Sequence, residues 1–169
     1  GTSPSLAELG RRIVETVLFE FERSNCSLIL ADDNSLILQR VAVAGTYSKE
    51  VSQSTLAING HGLVPEVIRK GIAINSPNVS LRKNYEPNWE AARSEMAVPL
   101  KVGEKTIGAI DVQSPEKNTF SADDQRLLLA FAERAALAIE NIRLYEDAKR
   151  RLGRLGALHT IDEAIAKSV

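Results

Sequence analysis

One cysteine and two histidines are the thiol and imidazole groups of the 169-residue sequence, and their positions restrict the chemistry they can do. Cys26 and His61 are too few to hold a zinc ion, and His159 lies far along the chain with no partner at metal-ligand spacing. No metal is therefore expected. A single thiol cannot form and reopen an internal disulfide, and Cys26, at the start of a predicted strand, reads as a small buried residue. The remaining candidates are groups that bind rather than react. Gly60 and Gly62 precede a short predicted helix whose free N–H groups could receive an anionic ligand. His61 stands between them, and Tyr85, Trp89, Arg93 and Glu95 lie in or beside a long segment rich in proline and asparagine. These seven are the candidate ligand-binding residues. No catalytic residue is assigned, and the chain is expected not to be an enzyme. Each candidate also has a plainer reading: Tyr85 and Trp89 as plugs in the space a ligand would fill, and Arg93 and Glu95 as a solvated pair.

The elements that must position these groups follow from periodicity. Leu6, Leu9, Ile13, Val17 and Phe21 recur at helical intervals after a Ser5-to-Glu8 capping spacing, with Pro4 at the helix start, and predict a helix to about Glu22. Two β-rich runs, 27–31 and 36–44, flank the turn residues Asp32, Asp33 and Asn34. Both runs are apolar at successive positions, so the sheet is expected to be covered on both faces. Residues 64–70 predict a short helix closed by Gly71, and 72–74 a short strand. The stretch 75–92 then reads as a long loop with one helical turn, of the kind that forms lids. Met96, Val98, Leu100 and Val102 alternate with other residues, Gly103 and Glu104 fit a two-residue hairpin loop, and 106–113 returns as the partner strand. Pro99 inside the first of these marks an edge or a bulge.

Ser121 caps a long helix, with Asp123 and Asp124 in its first turn and Leu128, Phe131, Ala135, Ala138, Ile142 and Tyr145 in alternating steps of three and four. Lys149, Arg150, Arg151 and Gly153 resemble a helix stop, yet Leu152, Leu155, Leu158, Ile161 and Ile165 carry the spacing onward and predict continuation. The chain thus divides into an opening helix (1–22), a core with its closing helix (23–148), and a linker or signalling helix (149–169) that leads to a following module. With 44% apolar and 25% charged residues and a formal charge of −1, an ordinary globular domain is expected. No field draws it to nucleic acid, and no apolar run approaches the ~18 residues of a membrane span. The lone cysteine and the lack of a leader make the cytoplasm the expected location.

Arg93 to Leu100, RSEMAVPL, and Ile107 to Glu146, IGAIDVQSPEKNTFSADDQRLLLAFAERAALAIENIRLYE, resemble the GAF domain family, and the resemblance covers roughly residues 5 to 148. It implies an α+β fold: a central antiparallel sheet with the N- and C-terminal helices on one face and lid loops and short helices on the other. It also implies a small-molecule pocket under the lid, a homodimer through the terminal helices, and a place beside an output module such as a histidine kinase or a cyclase in the same bacterial chain. The reading that follows is a sensory domain that binds a small molecule and relays its presence; the alternative is a structural dimerisation spacer with no ligand. Family glycines before the short helix are matched by GHGLVP from Gly60, with Pro65 where a third glycine would stand. Members that reduce free methionine sulfoxide use several cysteines, and members that tether bilins use a pocket cysteine; Cys26 fits neither. Members that bind cyclic nucleotides carry Asn-Lys, Phe and Asp-Glu, against which this chain sets Lys117 and Asn118 in reversed order, Phe120, Asp124, and Gln125 in place of glutamate. The ligand stays open at this point.

Overall fold

A computed structural model describes residues 4–22, 24–51 and 54–168. The elements are α1 (Leu6–Glu20), β1 (Asn25–Leu30), β2 (Ile37–Gly45), a 3-10 turn at Ser48–Glu50, β3 (Thr55–Ala57), α2 (Leu63–Lys70), β4 (Ile74–Ser76), a 3-10 turn at Val79–Leu81, β5 (Ser94–Val102), β6 (Lys105–Ser114) and α3 (Ala122–Ser168). The strands form one sheet in the order β3-β2-β1-β6-β5-β4, and every neighbouring pair is antiparallel.

Alternation along the strands separates two faces. Leu28, Met96, Val98, Leu100, Ile110 and Val112 face Ile13, Val14 and Val17 of α1 and Leu128, Ala132, Ala136 and Ile139 of α3. On the opposite face Ile29, Leu38, Ala97 and Ala109 lie beneath Leu63, Val64, Val67 and Ile68 of α2. Fully burying one such leucine or isoleucine contributes roughly 1.5–3 kcal/mol, so these two strips are what hold the helices to the sheet. The expected α+β sandwich is the observed one, with the terminal helices on one face and α2 and the lid on the other.

Local chemistry sets the boundaries. The Glu8 N–H donates to Ser5 Oγ at 3.2 Å, which makes Ser5 the cap and leaves Pro4 outside the helix; α1 stops at Glu20, two residues short of expectation. Gly71 closes α2 in the left-handed conformation, φ 65°. Gly103, φ 61°, opens the β5–β6 turn. Pro99 is tolerated because β4 pairs only with Glu95–Ala97, leaving that side of β5 open from Val98 onward. The strand expected at 72–74 lies at 74–76, and β3 was not foreseen, since three residues carry too little alternation to register. In β2 one extra residue, Val41, interrupts the pairing between Leu28↔Ala42 and Ile29↔Arg40. Val41 and Ala42 both turn to the helices, and Arg40 is thereby set opposite Ile29 on the lid face.

Gly108 pairs with Leu30 at the centre of the sheet, and a Cβ there would stand 2.2 Å from the Ile29 carbonyl oxygen. Gly108→Ala is expected to force β1 and β6 apart and to cost at least ~2 kcal/mol, read as a lowered urea midpoint at unchanged m value. Equal midpoints would mean the sheet absorbs the methyl group.

Helix α3 runs unbroken for 47 residues, about 70 Å at 1.5 Å per residue. Ser121 Oγ accepts from the Asp124 N–H at 3.0 Å while Asp124 Oδ2 accepts from the Ser121 N–H at 2.8 Å. Gly153 and Gly156 meet nothing that a Cβ would touch, so each weakens the helix by only about 1 kcal/mol and does not end it. Two faces divide its surface. Leu128, Ala132, Ala135, Ala136 and Ile139 are buried against the body, whereas Leu127, Leu137, Leu144, Leu155, Leu158 and Ile165 are exposed, and residues 148–168 are exposed on all sides. Among the described residues no helix is long and apolar enough to cross a membrane.

Candidate functional site

A cavity of about 480 Å³ opens between β3, the start of α2, the lid segment and β5. Its wall includes Gly60, His61, Gly62, Leu63, Val64, Tyr85, Asn88 and Glu95. Five of the seven sequence candidates therefore converge. Gly62 holds φ 115°, open to glycine at little cost, and no side chain caps α2 behind it. Arg69 anchors the preceding turn by donating to the carbonyls of Ile58 at 2.7 Å and Gly60 at 3.0 Å. Pro65, at the third helical position, removes one of the N–H groups an anion would have used.

Trp89 and Arg93 lie elsewhere. Trp89, 2% exposed, donates its indole N–H to Glu50 at 2.7 Å and stacks on Tyr47 with ring centroids 4.9 Å apart. It is the plug of the plainer reading, fastening the lid to the connection after β2. Arg93 is exposed and donates to the carbonyls of Glu90 and Ala92. It does not pair with Glu95, which is 3% exposed under the lid.

Around Glu95 the lid face of the sheet turns polar. Tyr85 donates its hydroxyl to Glu95 Oε1 at 2.5 Å, and Gln113 Nε2 donates to the same oxygen at 3.2 Å and to Asn88 Oδ1 at 2.8 Å. Burial, then the charge of Glu95, pushes the Tyr85 hydroxyl far above its ordinary range and keeps it a donor. Asp111, opposite Ala97 and so diagonal to Glu95, is 1% exposed, and neither of its carboxyl oxygens meets a donor. Glu95 lies diagonally across the β5–β6 pair on the same face, and two buried carboxyls so placed resist ionising together. Burial first, and then Glu95, drives Asp111 well above the carboxylate range, while Arg40 pulls it back. Arg40 donates to Ser27 Oγ at 2.5 Å, and its own pKa is lowered by desolvation.

Sequence reasoning did not single out Arg40, Asn88, Asp111 or Gln113. The available signal was Asp111 and Gln113 within the otherwise apolar run from Ile107, since a charge in a strand covered on both faces must have a reason. The residues of the partial cyclic-nucleotide motif have structural places: Phe120 is buried edge-on to Phe21 on the helix face, centroids 5.8 Å apart, and Asp124 caps α3. Cys26 is buried on that same helix face, its thiol pushed up by desolvation and then by Asp111.

A sheet of this order, with terminal helices behind it and a lidded cavity in front, defines an antiparallel α+β sandwich with one face free to enclose a small molecule. The GAF domain family model matches residues 3–140, and the chain belongs to the GAF domain family. A segment of 43 residues is 42% identical to Protein YtsP of Bacillus subtilis (strain 168), spanning 25% of this chain and 26% of that protein, so the match touches about a quarter of the relative's length. Among solved structures, the GAF domain of an Acinetobacter phosphoenolpyruvate-protein phosphotransferase superposes with TM-score 0.74 at 21% identity, covering 86% of this chain and 89% of that one. Type II free methionine-R-sulfoxide reductase of Thermoplasma acidophilum does so with TM-score 0.68 at 22% identity, covering 82% and 97%. At these identities the structures share the fold. GAF domains are regulatory modules in general, and the fold also carries a reductase activity in some proteins.

Proposed function

We propose that this chain is a non-catalytic sensory module that binds a small molecule under its lid and passes the binding event through α3 to an output domain, such as a histidine kinase, in the same bacterial polypeptide. The open cavity of about 480 Å³ is the observation that carries the reading, because it lies within the ~300–1,000 Å³ range of small-molecule pockets. A filled interior would have favoured the ligand-free spacer. The position of Cys26, buried away from the cavity, supports a role without thiol chemistry and fits a reducing cytoplasm. Glu95 and Met96 are successive residues of β5 that point to opposite faces. A ligand bearing on Glu95 thus bears, through Met96 and Val98, on the cluster that seats α3, and a ligand that fits one α3 position better than another shifts the population between them.

The receiving element is a homodimer. Beyond Asp147 the helix has water on every side, and an isolated helix of about 20 residues is marginal in water. Its outer stripe keeps one heptad phase: Leu127, Ala130, Arg134, Leu137, Asn141, Leu144 and Ala148 follow in steps of three and four, and Leu155, Leu158 and Ile165 hold the same phase. A second copy in parallel buries this stripe, and Asn141 against its counterpart sets register and favours two strands.

Native mass spectrometry of protein purified from cells tests both halves. A dimer carrying a retained metabolite is expected. A ligand-free dimer, with no thermal shift from any metabolite class, would establish the spacer instead.

A further inference from the structure

We infer that the cavity takes a small organic cation, a metabolite bearing a primary ammonium or amidinium group, whose charged head seats on Glu95 with Asp111 behind it. The inference rests on the ligand-binding reading above and names the class of ligand. Three observations carry it. The described wall of the cavity holds two carboxylates, Glu86 and Glu95, and no lysine or arginine; a phosphate or carboxylate ligand would meet like charge there. Behind the wall Asp111 is 1% exposed with both oxygens lacking a donor, and Gln113, equally buried, has Oε1 without one. Buried acceptors left without donors are costly, and a group that supplies several N–H donors and a positive charge satisfies them together. Leu56, Leu63 and Val64 give the same cavity an apolar wall for a short hydrocarbon segment.

In the empty site burial and the nearby Glu95 charge favour a proton on Asp111, and that proton stands in for the cation. The charged and titratable groups facing it are Arg40 from β2, Glu95 from β5, Tyr85 from the lid and Asp111 from β6, with Glu86 and His61 in the cavity wall and Cys26 across the sheet. When the ligand's cationic head arrives, the Asp111 proton leaves to solvent, and both carboxylates become charged against the ligand and Arg40. Binding therefore releases the proton that the raised Asp111 carboxyl holds in the empty site, and tightens as pH rises.

The test uses three probes of equal length, n-butylammonium, n-butanol and butyrate, titrated into ¹⁵N-labelled chain at pH 7. Butylammonium is expected to give saturable amide shifts at Glu95 and Asp111, to bind at least tenfold more tightly than the other two, and to release protons, read as a calorimetric heat that scales with buffer ionisation enthalpy. Glu95→Gln is expected to weaken it at least tenfold, and Asp111→Asn to abolish the proton release. Tighter binding of butyrate or butanol would overturn the cationic class while leaving a ligand-binding pocket in place. No perturbation by any of the three would overturn the cationic class as well, and the ligand-binding reading would then stand or fall on what the native protein retains. The comparison among probes needs no variant, so it holds even where a substitution disturbs folding.

Discussion

Arg40→Met is expected to remove about 3 kcal/mol of stability at pH 7.5 and far less at pH 5, and Asp111→Asn in the same chain is expected to restore most of what is lost. Arg40 is the cation that offsets two carboxyls under the lid. Taking one partner from a buried charge cluster costs roughly 3–5 kcal/mol, because it strands the charge that remains. At pH 5 the raised Asp111 carboxyl is more fully protonated than at pH 7.5, less negative charge is stranded, and the loss shrinks. The wild-type chain carries a related signature. Burial and Glu95 raise Asp111 above its unfolded value, which is near 3.9. Between that value and the folded one, the native state holds a proton that the unfolded chain has released. Stability contributed by this group is thus complete in acid and lost as pH rises through the folded pKa, with a slope of up to about 1.4 kcal/mol per pH unit. Asp111→Asn alone should flatten that fall and leave the variant more stable than wild type at pH 7.5. Urea unfolding of the four chains at both pH values is the measurement, and the double-mutant cycle isolates the coupling. A wild-type stability that rises between pH 5 and 7.5, with Asp111→Asn destabilising at both, would mean that the carboxyl is ionised and paired in the empty protein.

Replacing Leu144 and Leu155 together by aspartate is expected to raise the dimer dissociation constant at least a thousandfold while leaving the body folded. Both side chains are mostly exposed within one chain, Leu144 at 59% and Leu155 at 63%, so their loss removes little intramolecular packing. In a parallel pair of helices the double change removes four leucines from the seam. At roughly 1.5–3 kcal/mol for each buried side chain, and 1.4 kcal/mol per tenfold in affinity, a thousandfold is a conservative figure. Sedimentation equilibrium reads the association, and far-UV circular dichroism should lose the helicity of about 20 residues as the tail melts without its partner. A dimer of undiminished affinity would place the interface on another surface.

The α+β layering was legible because its causes are local and repetitive: alternation in β5, the Ser121 cap, and the spacing that carries α3 through Gly153. Of the periodic residues named for α3 from the sequence, Leu128 and Ala135 are buried against the body, whereas Tyr145, Leu155, Leu158 and Ile165 are exposed. The outer stripe through Leu137 and Leu144 was missed because one helix carried two overlapping patterns. The Gly60–Gly62 turn, Tyr85 and Glu95, named from their chemistry and their place beside a lid, line the cavity. Trp89 was offered as ligand contact or plug, and the packing against Tyr47 and Glu50 makes it a plug. Arg40, Asp111 and Gln113 escaped notice because their meeting depends on strand pairing across residues far apart in sequence, and no spacing within one segment encodes it. Arg40 depends in addition on an irregularity in β2 that alternation alone would have denied.

That irregularity bears on descent. Val41 is one residue of extra length, and at the present length of β2 it is what lets Arg40 sit opposite Ile29 while Ala42 stays opposite Leu28. Deleting its codon would join Arg40 directly to Ala42, restore strict alternation and leave the guanidinium on the lid face. A lineage that sheds the bulge therefore keeps its counter-charge, so the electrical character of this pocket survives a change in the length of the chain beside it.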